Sequence, residues 1–118
     1  MPAFRGFVVV SGPPASGKSS LAPVLAAELD LPLLAKDDIK DALVEVLGAP
    51  DLPRSRELGR AAVHVLLAVA RTAGRGVLEG VWHDRTHALL AALPDPVVEV
   101  DVTALAARLV AAARHGVD

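Results

Sequence analysis

A glycine-rich loop between an apolar run and a helical segment constrains this chain more than any other feature. Residues 12–19 read GPPASGKS and fit the spacing GxxxxGK[ST] at every fixed position. Phosphate oxygens need several backbone N–H groups aimed at one point. Glycines let the backbone approach closely, and the following helix presents its positive N-terminal end. An ordinary Gly/Pro turn is the alternative, but a turn does not require the strand before it and the helix after it. The loop therefore predicts a phosphate-binding site.

The residues of this phosphate loop have different expected roles. Lys18 supplies a cation for the outer phosphates of a nucleotide, and the Ser19 hydroxyl can join the coordination shell of Mg²⁺. The prolines stiffen the loop, so that less entropy is lost when a ligand binds. We expect the nucleotide to be held by Gly12, Pro13, Pro14, Ala15, Ser16, Gly17, Lys18, Ser19 and Ser20.

The order of strand-like and helix-like segments predicts an α/β fold. Helices lie between the predicted strands, and helical crossovers connect parallel strands. We expect Pro23 to distort the first helix without abolishing it. The predicted elements are a strand at 7–10, a helix at 18–29, a strand at 33–35, a helix with Asp38 as its N-cap, a helix from Ser55 to Gly74, a strand at 76–82, a helix begun by Asp84, a strand at 97–102 and a helix begun by Thr103.

Composition limits the classes of partner. The 118 residues suffice for one domain with a real core. The net charge of -2 gives no electrostatic reason to expect nucleic acid or an acidic membrane as a partner. The chain has no cysteine, which fits a reducing compartment, and its apolar start is too short to span a bilayer. We expect a soluble, cytoplasmic protein.

An acidic turn follows the second predicted strand. Ligands of α/β sheets bind at the carboxyl ends of the strands, where Asp37 and Asp38 are expected to lie beside the phosphate loop. A carboxylate there can accept the proton of a hydroxyl that attacks a γ-phosphate. If Asp38 caps the helix, Asp37 is free for this role; the alternative is that both residues only cap. Lys40 is either a substrate or phosphate ligand or a solvated helix residue.

Residues 12–43 resemble the start of P-loop small-molecule kinases of the AAA ATPase type, among them zeta-toxin-like and chloramphenicol-phosphotransferase-like kinases. They are also similar to the kinase domain of polynucleotide 5′-kinases, in which an Asp-Asp pair follows the second strand. The resemblance implies a P-loop NTPase fold, a three-layer α/β/α sandwich with a parallel sheet. It implies that Asp37 is the general base, and it places Lys40 where the polynucleotide kinases have an arginine.

Three further residues are candidates for the site. Glu79 lies in an apolar strand, where a carboxylate is costly unless it is paired or near a metal, so it is either a Mg²⁺ or substrate ligand or half of an ion pair. Trp82, the single tryptophan, either walls the acceptor pocket or only packs. The resemblance implies that Arg108 approaches the transferring phosphate from a lid; the alternative is a solvated residue.

The family's sheet has five strands in the order 2-3-1-4-5, whereas this chain offers four. We therefore predict a single domain over residues 1–118 with the order 2-3-1-4, lacking the fifth strand and the lid. The strand from Val97 to Val102 would then be an edge open to self-association. The leading hypothesis is a kinase that uses ATP and Mg²⁺ to phosphorylate a hydroxyl of a small molecule. A nucleotide-binding module without transferase activity and a plain ATPase are the alternatives, and the acceptor stays open.

Overall fold

The computed structural model describes residues 4–13, 16–82, 87–94, 96–102 and 111–112. The helices predicted to begin at Asp84 and Thr103 begin outside these residues. The predicted α/β pattern is confirmed. The elements are β1 (Phe7–Ser11), α1 (Lys18–Leu29), β2 (Leu33–Ala35), α2 (Lys36–Leu47), α3 (Leu52–Ala73), β3 (Gly76–Glu79), a short 3₁₀ helix (Ala88–Ala92) and β4 (Val97–Asp101).

The four strands form one parallel sheet in the order β2-β3-β1-β4, which confirms the predicted order. In the register of the sheet, Val10 of β1 pairs with Glu79 of β3, and Glu79 pairs in turn with Ala35 of β2. Because the strands are parallel, β1, β2 and β3 end at the same edge. The phosphate loop follows β1, α2 follows β2, and the residues from Gly80 follow β3. These three segments therefore start side by side.

The central strand explains the three layers. Alternate residues of a strand point to opposite faces of a sheet. Phe7 and Val9 of β1 belong to a buried cluster with α3, while Val8 and Val10 belong to a second cluster with α1. All four are at most 5% exposed, as expected for a strand covered on both faces. Helix α1 therefore lies on one face of the sheet and α3 on the other.

Two helices begin earlier than the sequence pattern predicts. Helix α2 begins at Lys36, so the prediction that Asp38 is its N-cap is wrong; Asp37 and Asp38 both lie in the first turn. Helix α3 begins at Leu52 rather than Ser55. Its N-cap is Asp51, whose carboxylate accepts a hydrogen bond of 2.9 Å from the backbone N–H of Arg54. A proline is tolerated in a first helical turn, which made this start hard to see.

The ends of α1 and α3 agree with the sequence. Helix α1 continues through Pro23 from Lys18 to Leu29, and Gly74 ends α3 with a positive φ of 76°. The segment 88–92 is a 3₁₀ helix, a tighter coil than the predicted α-helix.

Helix α2 packs against α3 and has no buried residue of its own. In the part of the chain that the structure describes, no helix has the length and apolar character needed to cross a membrane.

Candidate functional site

The phosphate loop has the backbone geometry that its glycines predict. Gly12 and Gly17 have φ angles of 154° and 97°, which L side chains rarely adopt. A β-carbon on Gly12 would lie 2.5 Å from Ser16 Oγ, so only glycine permits this close approach. The backbone N–H of Ser16 donates to the Pro13 carbonyl at 3.2 Å. Pro14 and Ala15 lie outside the described residues.

Ser16 supports the assignment of this loop as a ligand cradle. Its hydroxyl is buried and has no hydrogen-bond partner within the described ranges. A buried polar group without a partner costs free energy, and such a cost is tolerated where a ligand supplies the partner. Gly17 is the N-cap of α1 and offers no capping side chain, so the first N–H groups of the helix are left for a ligand.

A buried lysine and a buried carboxylate lie behind this loop. Lys18 is the first residue of α1 and Glu79 the last residue of β3, and each is only 6% exposed. Burial raises the pKa of Glu79 above its ordinary value. The charge of Lys18 and hydrogen bonding from the Ser19 hydroxyl act in the opposite direction. Lys18, Ser19 and Glu79 thus form one electrostatically coupled group.

Asp37 and Asp38 belong to the same electrostatic environment. They follow Ala35, which pairs with Glu79 in the sheet, and the negative charge of both carboxylates acts to raise the pKa of Glu79. The Asp37 side chain is 67% exposed and lies 3.4 Å from the Lys36 ammonium. It is open to a ligand from solvent. The structure therefore brings together four of the predicted residues at one sheet edge: Lys18, Ser19, Asp37 and Glu79.

A basic pocket opens beside this group, and sequence reasoning anticipated only part of it. The cavity has a volume of about 360 Å³ and lies between α2 and α3, next to the chain that leaves β3. Lys40 was a predicted ligand, whereas Lys36, Arg56 and Arg60 were not. In sequence, Lys36 and the two arginines four residues apart in α3 give no signal that distinguishes them from solvated helix residues. The lining residues are Lys36, Lys40, Arg56, Gly59, Arg60, Val63 and Val81.

Trp82 lies at the margin of the same region. Its ring packs against the cluster that covers one face of the sheet. Its indole Nε1 is buried and has no hydrogen-bond partner in the described part of the chain. A β-carbon on Gly80 would lie 3.4 Å from Lys36 Cβ and 3.7 Å from Trp82 Nε1, so both side chains flank Gly80. Arg108, the predicted lid arginine, lies outside the described residues.

No group of three or more His, Cys, Asp or Glu side chains that could hold a metal ion occurs among the described residues. Ser19 and Glu79 remain the predicted metal ligands. Mg²⁺ keeps several waters and is commonly bound through one or two carboxylates together with phosphate oxygens of the substrate. A site of two protein ligands beside a phosphate loop fits that chemistry.

The raised pKa of Glu79 predicts a pH-dependent cost in stability. Below the ordinary value of 4.5 both folded and unfolded chains hold this proton, whereas between 4.5 and the raised folded pKa only the folded chain does. The stability that this proton on Glu79 gives the folded chain is therefore lost as the pH rises through that range. We expect the melting temperature of Glu79→Gln, relative to the wild type, to be higher at pH 7 than at pH 4.

Thermal unfolding followed by circular dichroism at both pH values measures this difference. Glu28→Gln, on the exposed face of α1, is the matched control. A melting-temperature difference for Glu79→Gln that is the same at both pH values would contradict the prediction.

A family model described as "AAA domain" matches residues 7–117 of this chain. None of the curated protein sequences matches the chain significantly. The family match covers the phosphate loop, α2 and the strands that carry the candidate site.

Solved structures of kinases share the fold. A candidate kinase from Chloroflexus aurantiacus superposes with a TM-score of 0.71 at 27% identity, over 94% of this chain and 68% of that chain. The APS kinase CysC of Mycobacterium tuberculosis, as a Cys556Ala mutant, gives 0.58 at 25% identity, over 86% of this chain and 77% of that one. A gluconokinase from Sinorhizobium meliloti gives 0.62 at 19% identity over 85% of this chain, which spans 58% of the gluconokinase.

Proposed function

The chain belongs to the AAA domain family, and from this membership and the geometry of the site we propose that it is an ATP-dependent kinase. It would transfer the γ-phosphate of ATP to a hydroxyl of a small molecule. The observation that carries the proposal is that the buried Lys18 and Glu79 lie at the sheet edge where the phosphate loop begins, with Asp37 in the first turn of the helix after the neighbouring strand. Two proteins of the same fold are an APS kinase and a gluconokinase.

The phosphate loop would hold the nucleotide. Its backbone N–H groups, the orphaned hydroxyl of Ser16 and the N-terminus of α1 offer donors to the phosphates. Lys18 would neutralise the outer phosphates, and its burial would keep it in place for that role. Bound Mg²⁺ supplies positive charge against the phosphate oxygens. Ser19 and Glu79 are the residues that would hold it.

Asp37 would act on the acceptor. Its exposed carboxylate would accept the proton of the acceptor hydroxyl while that oxygen forms a bond to the γ-phosphorus. The bond from the γ-phosphorus to the bridging oxygen breaks, and ADP leaves with that oxygen. Trp82 and Lys40 would line the acceptor side. Arg108 would spread the charge of the transferring phosphate.

Two other functions use the same phosphate loop. A module that only binds nucleotide would show affinity for ATP without release of ADP, and an ATPase would release phosphate at a steady rate with no acceptor present. The experiment is to incubate the full chain with γ-³²P-labelled ATP and Mg²⁺. Sugars, sugar acids, nucleosides and aminoglycosides serve as acceptors, and labelled products are separated by chromatography.

We expect label to pass to at least one acceptor and ADP release to depend on that acceptor. Label that appears only as inorganic phosphate, at a rate that no acceptor changes, would assign the chain to the ATPases. The single domain over residues 1–118 and self-association through Val97 to Val102 remain predictions. Size-exclusion chromatography with light scattering measures the latter.

A further inference from the structure

We infer that the acceptor carries an oxyanion group, a carboxylate or a phosphate monoester, in addition to the hydroxyl that is phosphorylated, and that the basic pocket binds this group. The inference rests on the proposed function, because it assigns the basic pocket to the acceptor of the proposed kinase. It narrows the substrate class from any small alcohol to hydroxylated acids and phosphate esters.

Positive charge is concentrated around the basic pocket. The pocket is lined by four cationic side chains and no acidic one, in a chain whose net charge is -2. Lys36 pairs with Asp37 at 3.4 Å. Within the described ranges, Lys40, Arg56 and Arg60 form no ion pair. The nearby acid on α3, Glu57, pairs with Arg54 instead. Positive charge is therefore left uncompensated around the cavity.

This arrangement of like charges is unfavourable for the stability of the two helices. Lys36 and Lys40 are four residues apart on α2, and Arg56 and Arg60 are four apart on α3. Like charges at this spacing repel each other and destabilise a helix. The two pairs moreover face each other across one cavity, although α2 and α3 have exposed surface on which the charges could lie apart. A bound anion removes this repulsion.

The space between α2 and α3 is suited to a small ligand. Gly59 is a buried glycine in the middle of α3, where glycine is unfavourable for the helix. A β-carbon on it would lie 3.7 Å from the Lys36 ammonium and 3.9 Å from Lys40 Cδ. The two lysine side chains therefore lie directly over Gly59, close to the backbone of α3. The cavity of about 360 Å³ has the size of a site for a small molecule.

The basic pocket lies next to the proposed general base. Lys36 lines the pocket and also contacts Asp37, the proposed base, at 3.4 Å. Asp37 does not line the pocket itself, but through Lys36 its carboxylate lies next to the pocket's edge, so that an acceptor whose oxyanion lies among the four cations would extend toward it. Guanidinium groups bind carboxylates and phosphates through two parallel hydrogen bonds, which fixes orientation as well as affinity. The pocket would thus orient the acceptor hydroxyl toward the nucleotide.

The test uses three probes with the same carbon skeleton: glucose, gluconate and glucose 6-phosphate. The full chain is first saturated with Mg²⁺ and a non-hydrolysable ATP analogue, so that the phosphate loop is filled, and binding of each probe is measured by calorimetry. We expect at least one anionic probe to bind about tenfold or more tightly than glucose, as hydrogen bonds to charged groups imply. Gluconate and glucose 6-phosphate distinguish a carboxylate from a phosphate ester.

Arg60→Ala is expected to remove most of that preference, while Arg71→Ala, the same change at an exposed site near the other end of α3, leaves it intact. Equal binding of all three probes overturns the inference, as does a preference that survives Arg60→Ala. Affinity for the ATP analogue is measured in the same titrations. Nucleotide binding with no anionic preference refutes the pocket alone, whereas absence of nucleotide binding counts against the kinase.

Gly59→Ala separates ligand binding from folding. The added methyl group enters the cavity beside Lys36, while alanine is the better helix former. We expect weaker binding of the anionic probe together with a higher melting temperature. A purely structural role for Gly59 predicts no change in binding, and that result, with a folded variant in hand, would also overturn the inference.

Discussion

Replacing Lys18 with alanine is expected to abolish ATP binding at concentrations that saturate the wild type. The side chain is buried beside the phosphate loop, where its charge acts on the carboxylate of Glu79. Another cation would have to enter this buried space to replace it. In the described part of the chain, the other two lysines lie on α2 and line the basic pocket. Loss of a preorganised charge at a transferring phosphate lowers turnover by about 10²–10³-fold or more.

Isothermal titration calorimetry with ATP and Mg²⁺ measures the binding, and Arg71→Ala is the control for the loss of one positive charge. Removing Lys18 takes away the positive charge near the buried carboxylate of Glu79. The variant is therefore also expected to lose some stability at neutral pH. Circular dichroism confirms that it is folded before the titration. Unchanged ATP affinity in a folded Lys18→Ala variant would refute the role of this lysine.

Replacing Asp37 with asparagine is expected to leave ATP binding intact and to remove transfer. The side chain is 67% exposed and contributes nothing to the core, so the fold should not change. Asparagine keeps the shape but cannot accept a proton, and loss of a general base lowers the rate by about 10²–10⁴-fold. The effect should fall on kcat rather than on the KM for ATP.

The assay is transfer of labelled phosphate to an acceptor identified as described above, together with calorimetry for ATP. Glu45→Gln, an exposed carboxylate at the far end of α2, is the matched control. Asp38→Asn tells whether the base is Asp37 or its neighbour, since both lie in the first turn of α2. Turnover retained by Asp37→Asn, with a loss in Asp38→Asn instead, would move the role by one residue.

The sequence predicts most of the fold because its signals are local. The run at residues 7–10, the GxxxxGK[ST] spacing and the leucines of α1 each specify one element, and helical crossovers then require a parallel sheet. The predicted strand order is confirmed by the pairing of β1 with both β3 and β4. The helix starts were harder to predict, because residue type alone does not choose among several possible N-caps. Asp38 lies inside α2, and Ser55 lies inside α3, whose N-cap is Asp51.

The acceptor side could not be predicted in the same way. Lys36 and Arg60 are 24 positions apart, and only the packing of α2 against α3 brings them to one cavity. In sequence each cation is compatible with a solvated helix face, which is the usual place for a lysine or an arginine. Glu79 was the exception, because a carboxylate in an otherwise apolar strand is already unusual in sequence.

Helix α2 has no fully buried residue and packs mainly on α3, with Ile39 half-buried against the core cluster on that face of the sheet. The two halves of the proposed site therefore differ in how firmly they are held. The phosphate loop begins directly after the most buried strand, whereas Asp37 and Lys40 lie on a helix that has no fully buried side chain and is held mainly by α3. Elements of this kind open locally at low free energy. On the acceptor side of the proposed site, small displacements of this single helix could then fit the pocket to its ligand.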